Sequence, residues 1–145
     1  MLEWTSPVCP YTALKYDGGL MQALQRRAAR QGVAWLAIDT AAPDRAGYLT
    51  SAAASARIAK TGARVAAFLS DTDGSIGRAY GARTTPSLYI IAGNGRLVYQ
   101  GALDDDPGRK VPGGRNYVSA ALHDLRSGHP VRIPQTRAYG CAVEY

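Results

Sequence analysis

The run Val33-Ala34-Trp35-Leu36-Ala37-Ile38-Asp39 constrains the fold more than any other stretch of the chain. It is continuously apolar up to its last residue, with none of the polar alternation of a half-solvated strand. Gly32 precedes it, and a polar connection containing Pro43 and Gly47 follows it. A strand whose two faces both reject water belongs inside a sheet covered on both sides, the usual setting of parallel strands joined by crossover helices.

The flanking segments supply those helices. A helix-forming stretch begins at about Pro10, breaks at Gly18-Gly19 and resumes at Leu20, where Leu20, Leu24 and Ala28 recur along one face until Gly32 stops it. Beyond the apolar run, Thr50 or Ser51 caps an alanine-rich helix that ends at Gly62. Residues 65–71 read as another strand, closed by the turn Asp71-Thr72-Asp73-Gly74, and a short helix follows at 75–81. The pattern then changes. Residues 87–92 and 96–102 are strands joined by Gly93-Asn94-Gly95, a hairpin and therefore an antiparallel pair.

Residues 2–5 form a first strand fragment, and 107–114 a loop. The helix at about 116–127 aligns Tyr117, Val118, Ala121, Leu122 and Leu125 before Gly128 and Pro130 end it. Alternating strands and helices, then a hairpin and a closing helix, imply an α/β fold with a mixed central sheet flanked by helices. No repeat or linker divides the 145 residues, so they read as one domain, 1–145, with 129–145 as an irregular C-terminal tail. This length buries one core without disulfide staples.

The net charge of +6 comes from fourteen arginines and three lysines, scattered in runs no longer than two and without an aromatic-basic ladder. That distribution reads as a solvated basic surface rather than a nucleic-acid interface. No segment approaches the roughly 18 apolar residues of a membrane span. The opening Met1-Leu2-Glu3-Trp4 lacks the basic and apolar regions of a signal peptide. Two cysteines do not make a secreted disulfide framework. His123 and His129 lack metal-ligand spacing with either cysteine and read as structural. Asp104-Asp105-Asp106-Pro107 gathers three carboxylates, but no surrounding ligand pattern completes a Mg²⁺ or Ca²⁺ site. The sequence implies neither a metal nor a cofactor.

Chemistry concentrates at Cys9. It follows a strand at once and precedes a helix whose first position suits Pro10. The free N–H groups and macrodipole of a helix N-terminus favour thiolate over thiol. Such placement lowers a cysteine pKa from about 8.5 into a range of roughly 3.5 to 7.5. The competing reading is a buried, inert cysteine.

Several segments in register carry a resemblance. Residues 2–12, Leu-Glu-Trp-Thr-Ser-Pro-Val-Cys-Pro-Tyr-Thr, match a strand–nucleophile–helix segment. Thr84-Thr85-Pro86 stands just before a strand, residues 71–101 follow the order of turn, short helix, proline and hairpin, and the tail ends Tyr-Gly-Cys-Ala-Val-Glu-Tyr. On these residues the chain resembles the thioredoxin-like superfamily, in particular the redoxin group related to alkyl hydroperoxide reductase and thiol-specific antioxidant (peroxiredoxin-like) proteins. The resemblance covers nearly the whole chain. It implies a thioredoxin-like fold, Cys9 as nucleophile, Glu3 as a buried acid assisting proton transfer, and a cis proline at Pro86 in a substrate-facing loop with Thr85. A solvent-facing Glu3, opposite Leu2 and Trp4, is the alternative from strand alternation. A trans Pro86 opening a strand is the alternative for the loop.

Ser6 lies three residues before Cys9, where peroxiredoxins carry a hydroxyl that donates to the thiolate and to the peroxide. The rest of that signature is incomplete, because Leu2 stands where its proline belongs. Arg83 is the nearest match to the peroxiredoxin arginine. Thr12 stands where a C-x-x-C motif has its second sulfur and is expected to hydrogen-bond Cys9.

Cys141 is the only internal thiol able to release what Cys9 forms, whether mixed disulfide or sulfenic acid. Pairing requires the tail to fold back and bring the two Cα atoms within about 7 Å. The bulky Tyr139, Val143 and Tyr145 favour such docking and a Cys9–Cys141 disulfide; two unrelated cysteines remain the alternative.

The expectation is a thiol-dependent redox protein reducing peroxides or exchanging thiol and disulfide, with a thioredoxin-type protein or similar thiol as external reductant, and with neither nucleic acid nor membrane as partner. Ser6, the redoxin resemblance and the missing C-x-x-C favour peroxide by a small margin. The alternative is a redoxin-like binding or structural module with locked or inert thiols. Related redoxins carry more chain before the nucleophile, so Met1 reads as an internal or truncated start, which leaves a cytoplasmic or periplasmic location open. A short first strand also predicts a less stable domain or an edge open to a partner strand.

Overall fold

The computed structural model describes residues 1–108 and 114–145; much of the loop expected at 107–114 lies outside the described residues. In chain order the elements are β1 (Leu2–Trp4), α1 (Pro10–Asp17), α2 (Leu20–Arg30), β2 (Leu36–Asp39), α3 (Ser51–Thr61), β3 (Ala67–Ser70), α4 (Ser75–Tyr80), β4 (Thr84–Thr85), β5 (Ser87–Ile91), β6 (Leu97–Gly101), α5 (Tyr117–Arg126) and β7 (Cys141–Ala142). The central sheet runs β3-β2-β1-β5-β6. β1, β2 and β3 are parallel, and β5 and β6 are added antiparallel, which makes the sheet mixed.

β2 has a parallel neighbour on each side, as its continuous apolar run requires. Only 36–39 of that run are strand, although Trp35 before it is buried in the core. β1 is short yet central, paired to β2 on one edge and β5 on the other. The expected open edge at the first strand is therefore absent: the hairpin strand β5 covers it.

Local chemistry fixes the element ends. The Thr50 hydroxyl accepts from Ala53 N–H at 3.2 Å and starts α3, and the Asn116 side chain accepts from Ser119 N–H at 2.7 Å and starts α5. Gly95 takes φ +83° in the β5–β6 turn, a conformation that favours glycine.

Each face of the sheet is buried. Met21, Leu24 and Ala28 of α2 pack with Val118, Ala121 and Leu122 of α5 around Trp35, Leu88, Ile90 and Tyr99. Leu2, Trp4, Ile38 and Tyr89 form a second cluster, joined by Ile76 and Tyr80 of α4. Trp4 and Trp35 are fully buried, each worth roughly 4–6 kcal/mol of transfer free energy before ordering costs are subtracted. Because both faces are covered, Glu3 is buried too, with 0% exposure, and the solvent-facing alternative for it falls.

Apart from β7 and isolated bridges the tail has no regular secondary structure, as expected. It is a strap with defined partners. Gln135 bridges to Gln100 on β6, and the Thr136 hydroxyl accepts from Ala102 N–H at 2.9 Å. Next, β7 pairs antiparallel with β4, setting Thr84 opposite Ala142 and Thr85 opposite Cys141. Glu144 then forms a parallel bridge to Ala41. Among the described residues no helix is long and apolar enough to cross a membrane.

Candidate active site

β1 ends in the turn Thr5-Ser6-Pro7-Val8 and delivers Cys9 as the N-cap of α1, with Pro10 in the first turn. The residue has extended backbone, φ −82° and ψ 116°, and its N–H reaches Ser6 O at 3.4 Å. Its side chain is 1% exposed. The Cys9 thiol donates to the Thr85 carbonyl oxygen at 3.0 Å, and the Thr85–Pro86 peptide bond is cis. β7 sets Cys141 opposite Thr85, near Cys9; both thiols are free.

The two thiols are driven apart electrostatically. Burial pushes the Cys9 thiol up, but donation to its sulfur from the Cys141 thiol, the Thr85 side chain and the N–H groups of Thr12 and Cys141 outweighs burial. The net result is a pKa lowered to about 7. Cys141 moves the other way, to about 11, raised by burial, by its bond to the Cys9 sulfur and by the Cys9 charge. The negative charge therefore rests on Cys9 while Cys141 keeps its proton. Among the described residues Thr85 Oγ1 is buried with no other hydrogen-bond partner, so it is free to donate to the Cys9 thiolate.

The other expected site residues divide. Thr12 is fully buried and serves Cys9 through its backbone N–H; its hydroxyl has no partner among the described residues. Ser6 does not reach the sulfur. Its hydroxyl accepts from Val8 N–H at 3.4 Å, since the turn folds the side chain back on itself. Arg83 is an exposed side chain on a polar groove with Ser87, Gln100 and Arg137, and its carbonyl accepts from Val143 N–H at 3.0 Å.

Glu3 is held by other elements. Trp35 Nε1 donates to it at 2.7 Å, Tyr16 Oη at 3.0 Å and Gln25 Nε2 at 3.4 Å. Burial raises its pKa to about 7 against these three donors and the Arg57 charge. No hydrogen bond joins Glu3 to Cys9 among the described residues.

Several groups that secure the site carry no sequence signal of their own. Lys15 on α1 is fully buried and pairs with Asp104 at 2.9 Å, and Tyr139 Oη donates to the same carboxylate. The first carboxylate of the acidic triplet is thus a structural anchor for the tail. Asp39, at the end of β2, is pushed up to about 7 by burial, with Arg57 opposing and the Glu144 charge adding to the rise. A buried lysine inside an otherwise ordinary helix sequence and an aspartate closing an apolar run are recognisable only once their partners are placed. His123 and His129 are both exposed. Among the described residues no group of three or more His, Cys, Asp or Glu is placed to hold a metal ion.

Neither a protein-family model nor a curated protein sequence matches the chain. Solved structures do. An uncharacterized conserved protein from Geobacillus kaustophilus is similar with a TM-score of 0.88 at 24% identity, over 99% of this chain and 75% of that one. A hypothetical protein from Sinorhizobium meliloti 1021 is similar with a TM-score of 0.87 at 26% identity, over 99% of this chain and 78% of that one. The likeness is one of fold: a mixed five-stranded sheet flanked by helices.

Proposed function

We propose that this chain is a thiol-dependent oxidoreductase of thioredoxin-like fold, working through a Cys9–Cys141 dithiol/disulfide couple. The observation that carries this reading is the placement of Cys141 against Cys9 by the β4–β7 pair, with opposite pKa shifts on the two thiols. In the forward direction the Cys9 thiolate attacks a substrate disulfide, forming a mixed disulfide and releasing one substrate thiolate. Cys141 loses its proton and attacks Cys9 Sγ, forming Cys9–Cys141 and releasing the second substrate thiolate. The substrate gains two electrons and the couple loses two. An external thiol reductant, such as a thioredoxin-type protein, returns the couple to the dithiol.

Disulfide exchange is preferred to peroxide reduction because the Ser6 hydroxyl does not point at the sulfur and Arg83 faces an outer groove. A second reading, a binding module with locked thiols, draws on the 1% exposure of Cys9. Equilibration in dithiothreitol redox buffers, followed by mass spectrometry of the linked peptides, tests between them. The expected result is a reversible Cys9–Cys141 disulfide with a defined reduction potential. Two free thiols after oxidation would leave only the module.

A further inference from the structure

Cys9 has the chemistry of a nucleophile and no route to a partner. It is 1% exposed, whereas Cys141, on the strand above it, is partly exposed. The tail segment that lies against Cys9 is held as a separate strand would be. β7 meets β4 antiparallel over Thr84–Ala142 and Thr85–Cys141, and Val143 N–H continues the pairing to Arg83 O. The two strands form a sheet of their own, outside the five-stranded one. Side chains latch the segment at its ends. Tyr139 donates to Asp104 on one side, and on the other Tyr145 Oη donates to Ala82 O at 2.5 Å beneath the Arg78 guanidinium.

Gly140 makes the approach possible. It has φ +136°, and a Cβ there would overlap the Thr85 carbonyl oxygen, the same atom that accepts the Cys9 thiol. The strand thus lies against Cys9 only because a glycine immediately precedes its cysteine.

Building on the redox reading above, we propose that residues 139–145 are an internal substrate strand: they occupy the β4 edge in place of an extended partner segment containing Gly-Cys, and Cys9 meets outside disulfides only when this strand leaves. The partner is then a protein or peptide disulfide presented in extended form, bonded to the backbone at Arg83–Thr85 as β7 is now. Cys9 attacks the partner's cysteine sulfur and the partner's other sulfur departs as thiolate. The returning tail then brings Cys141 to Cys9 Sγ, and the same movement that forms the internal disulfide expels the partner strand and its thiol. A covered nucleophile reacts in proportion to its open fraction.

The test uses the full chain. In the reduced protein the rate of Cys9 alkylation by iodoacetamide, read on its own peptide and taken from the high-pH plateau of each variant's pH profile so that loss of the Cys141 donors does not enter, is expected to rise about tenfold or more on Gly140→Ala, because the strand can no longer seat. Should that variant fail to fold by circular dichroism, the Tyr139→Phe/Tyr145→Phe pair, which loses both latching hydroxyls, is expected to raise the same rate severalfold. Unchanged rates in a folded variant overturn the proposal. In Gly140→Ala/Cys141→Ser, where Cys9 is the only thiol, a peptide of residues 136–145 activated as its 5-thio-2-nitrobenzoate disulfide should release thionitrobenzoate faster than the same peptide with alanine before cysteine. Equal rates remove the Gly-Cys preference and overturn the proposed substrate class. These outcomes are separable from the redox reading: a wild-type disulfide with unchanged alkylation rates removes the strand proposal alone, and a faster Cys9 with no wild-type disulfide removes the redox couple alone.

Discussion

Thr85 and Cys141 face each other across the antiparallel β4–β7 pair, and the Thr85 carbonyl oxygen takes the Cys9 thiol at 3.0 Å. One backbone position therefore organises both sulfurs. Thr85 fixes the direction of the Cys9 thiol, and pairing with it decides which tail residue stands above that thiol. The acidity of Cys9 depends in turn on the residue so placed.

Replacing Cys141 by alanine should accordingly raise the Cys9 pKa. In the native chain the Cys141 thiol is the foremost of the donors that bring Cys9 down to about 7 against its burial. Losing one hydrogen bond to a charged group shifts such an equilibrium by roughly one pKa unit. The inflection in a pH titration of thiolate absorbance near the ultraviolet edge should move upward in Cys141→Ala. An inflection that stays in place or falls would show that Cys141 does not hold the thiolate.

Glu3 makes stability depend on pH in a definite direction. Its pKa is raised from 4.5 to about 7, chiefly by burial, so the folded state binds a proton that the unfolded chain has already lost. The favourable contribution is complete below about pH 4.5 and disappears as pH rises through about 7, a loss of roughly 3–4 kcal/mol from this group. Asp39, raised to about 7 from 3.8, acts in the same sense. Urea midpoints should therefore fall between these limits in the native chain, and Glu3→Gln should fall less steeply. A variant that retains the full slope would place the pH dependence elsewhere.

The buried Lys15–Asp104 pair should be costly to break from one side. Lys15 has 0% side-chain exposure and donates to both carboxylate oxygens, at 3.0 and 2.9 Å. Lys15→Met leaves Asp104 charged and buried, with Tyr139 among its remaining donors. The expected loss is roughly 3–5 kcal/mol in chemical denaturation. A loss below about 1 kcal/mol, the value of an exposed pair, would contradict its burial.

The scaffold was legible because its signals are local. The apolar run at 33–39 needs cover on both faces wherever it lies, Gly93-Asn94-Gly95 forces a hairpin, and Thr50 caps its helix with its own side chain. Cys9 was legible for the same reason: strand, cysteine, proline and helix are contiguous. β7 was not, because two residues show no period, and their strand character comes from an edge that β4 offers from far away in the sequence. Nor was the fate of Ser6. Its spacing from Cys9 fits donation to the sulfur, yet the turn geometry takes its hydroxyl to Val8 N–H. Spacing brings a side chain into the neighbourhood, and backbone direction decides what it touches.

The tail also acts on the end of β2 through charge. Asp39 is raised to about 7 first by burial, with Arg57 opposing and Glu144 adding to the rise. Glu144 sits on the strap, where its backbone bridges to Ala41 and its carboxylate accepts from Gly47 N–H at 3.2 Å. As pH rises through about 7, Asp39 becomes charged while facing a second carboxylate, and the attraction to Arg57 has to offset both the repulsion and the burial. Glu144→Gln removes the repulsion and keeps an oxygen for Gly47 N–H. The Asp39 inflection, followed by carbon-13 NMR of its carboxyl, should therefore move down. An inflection that holds at its native position would mean that burial and Arg57 set it and that Asp39 and Glu144 are electrostatically independent.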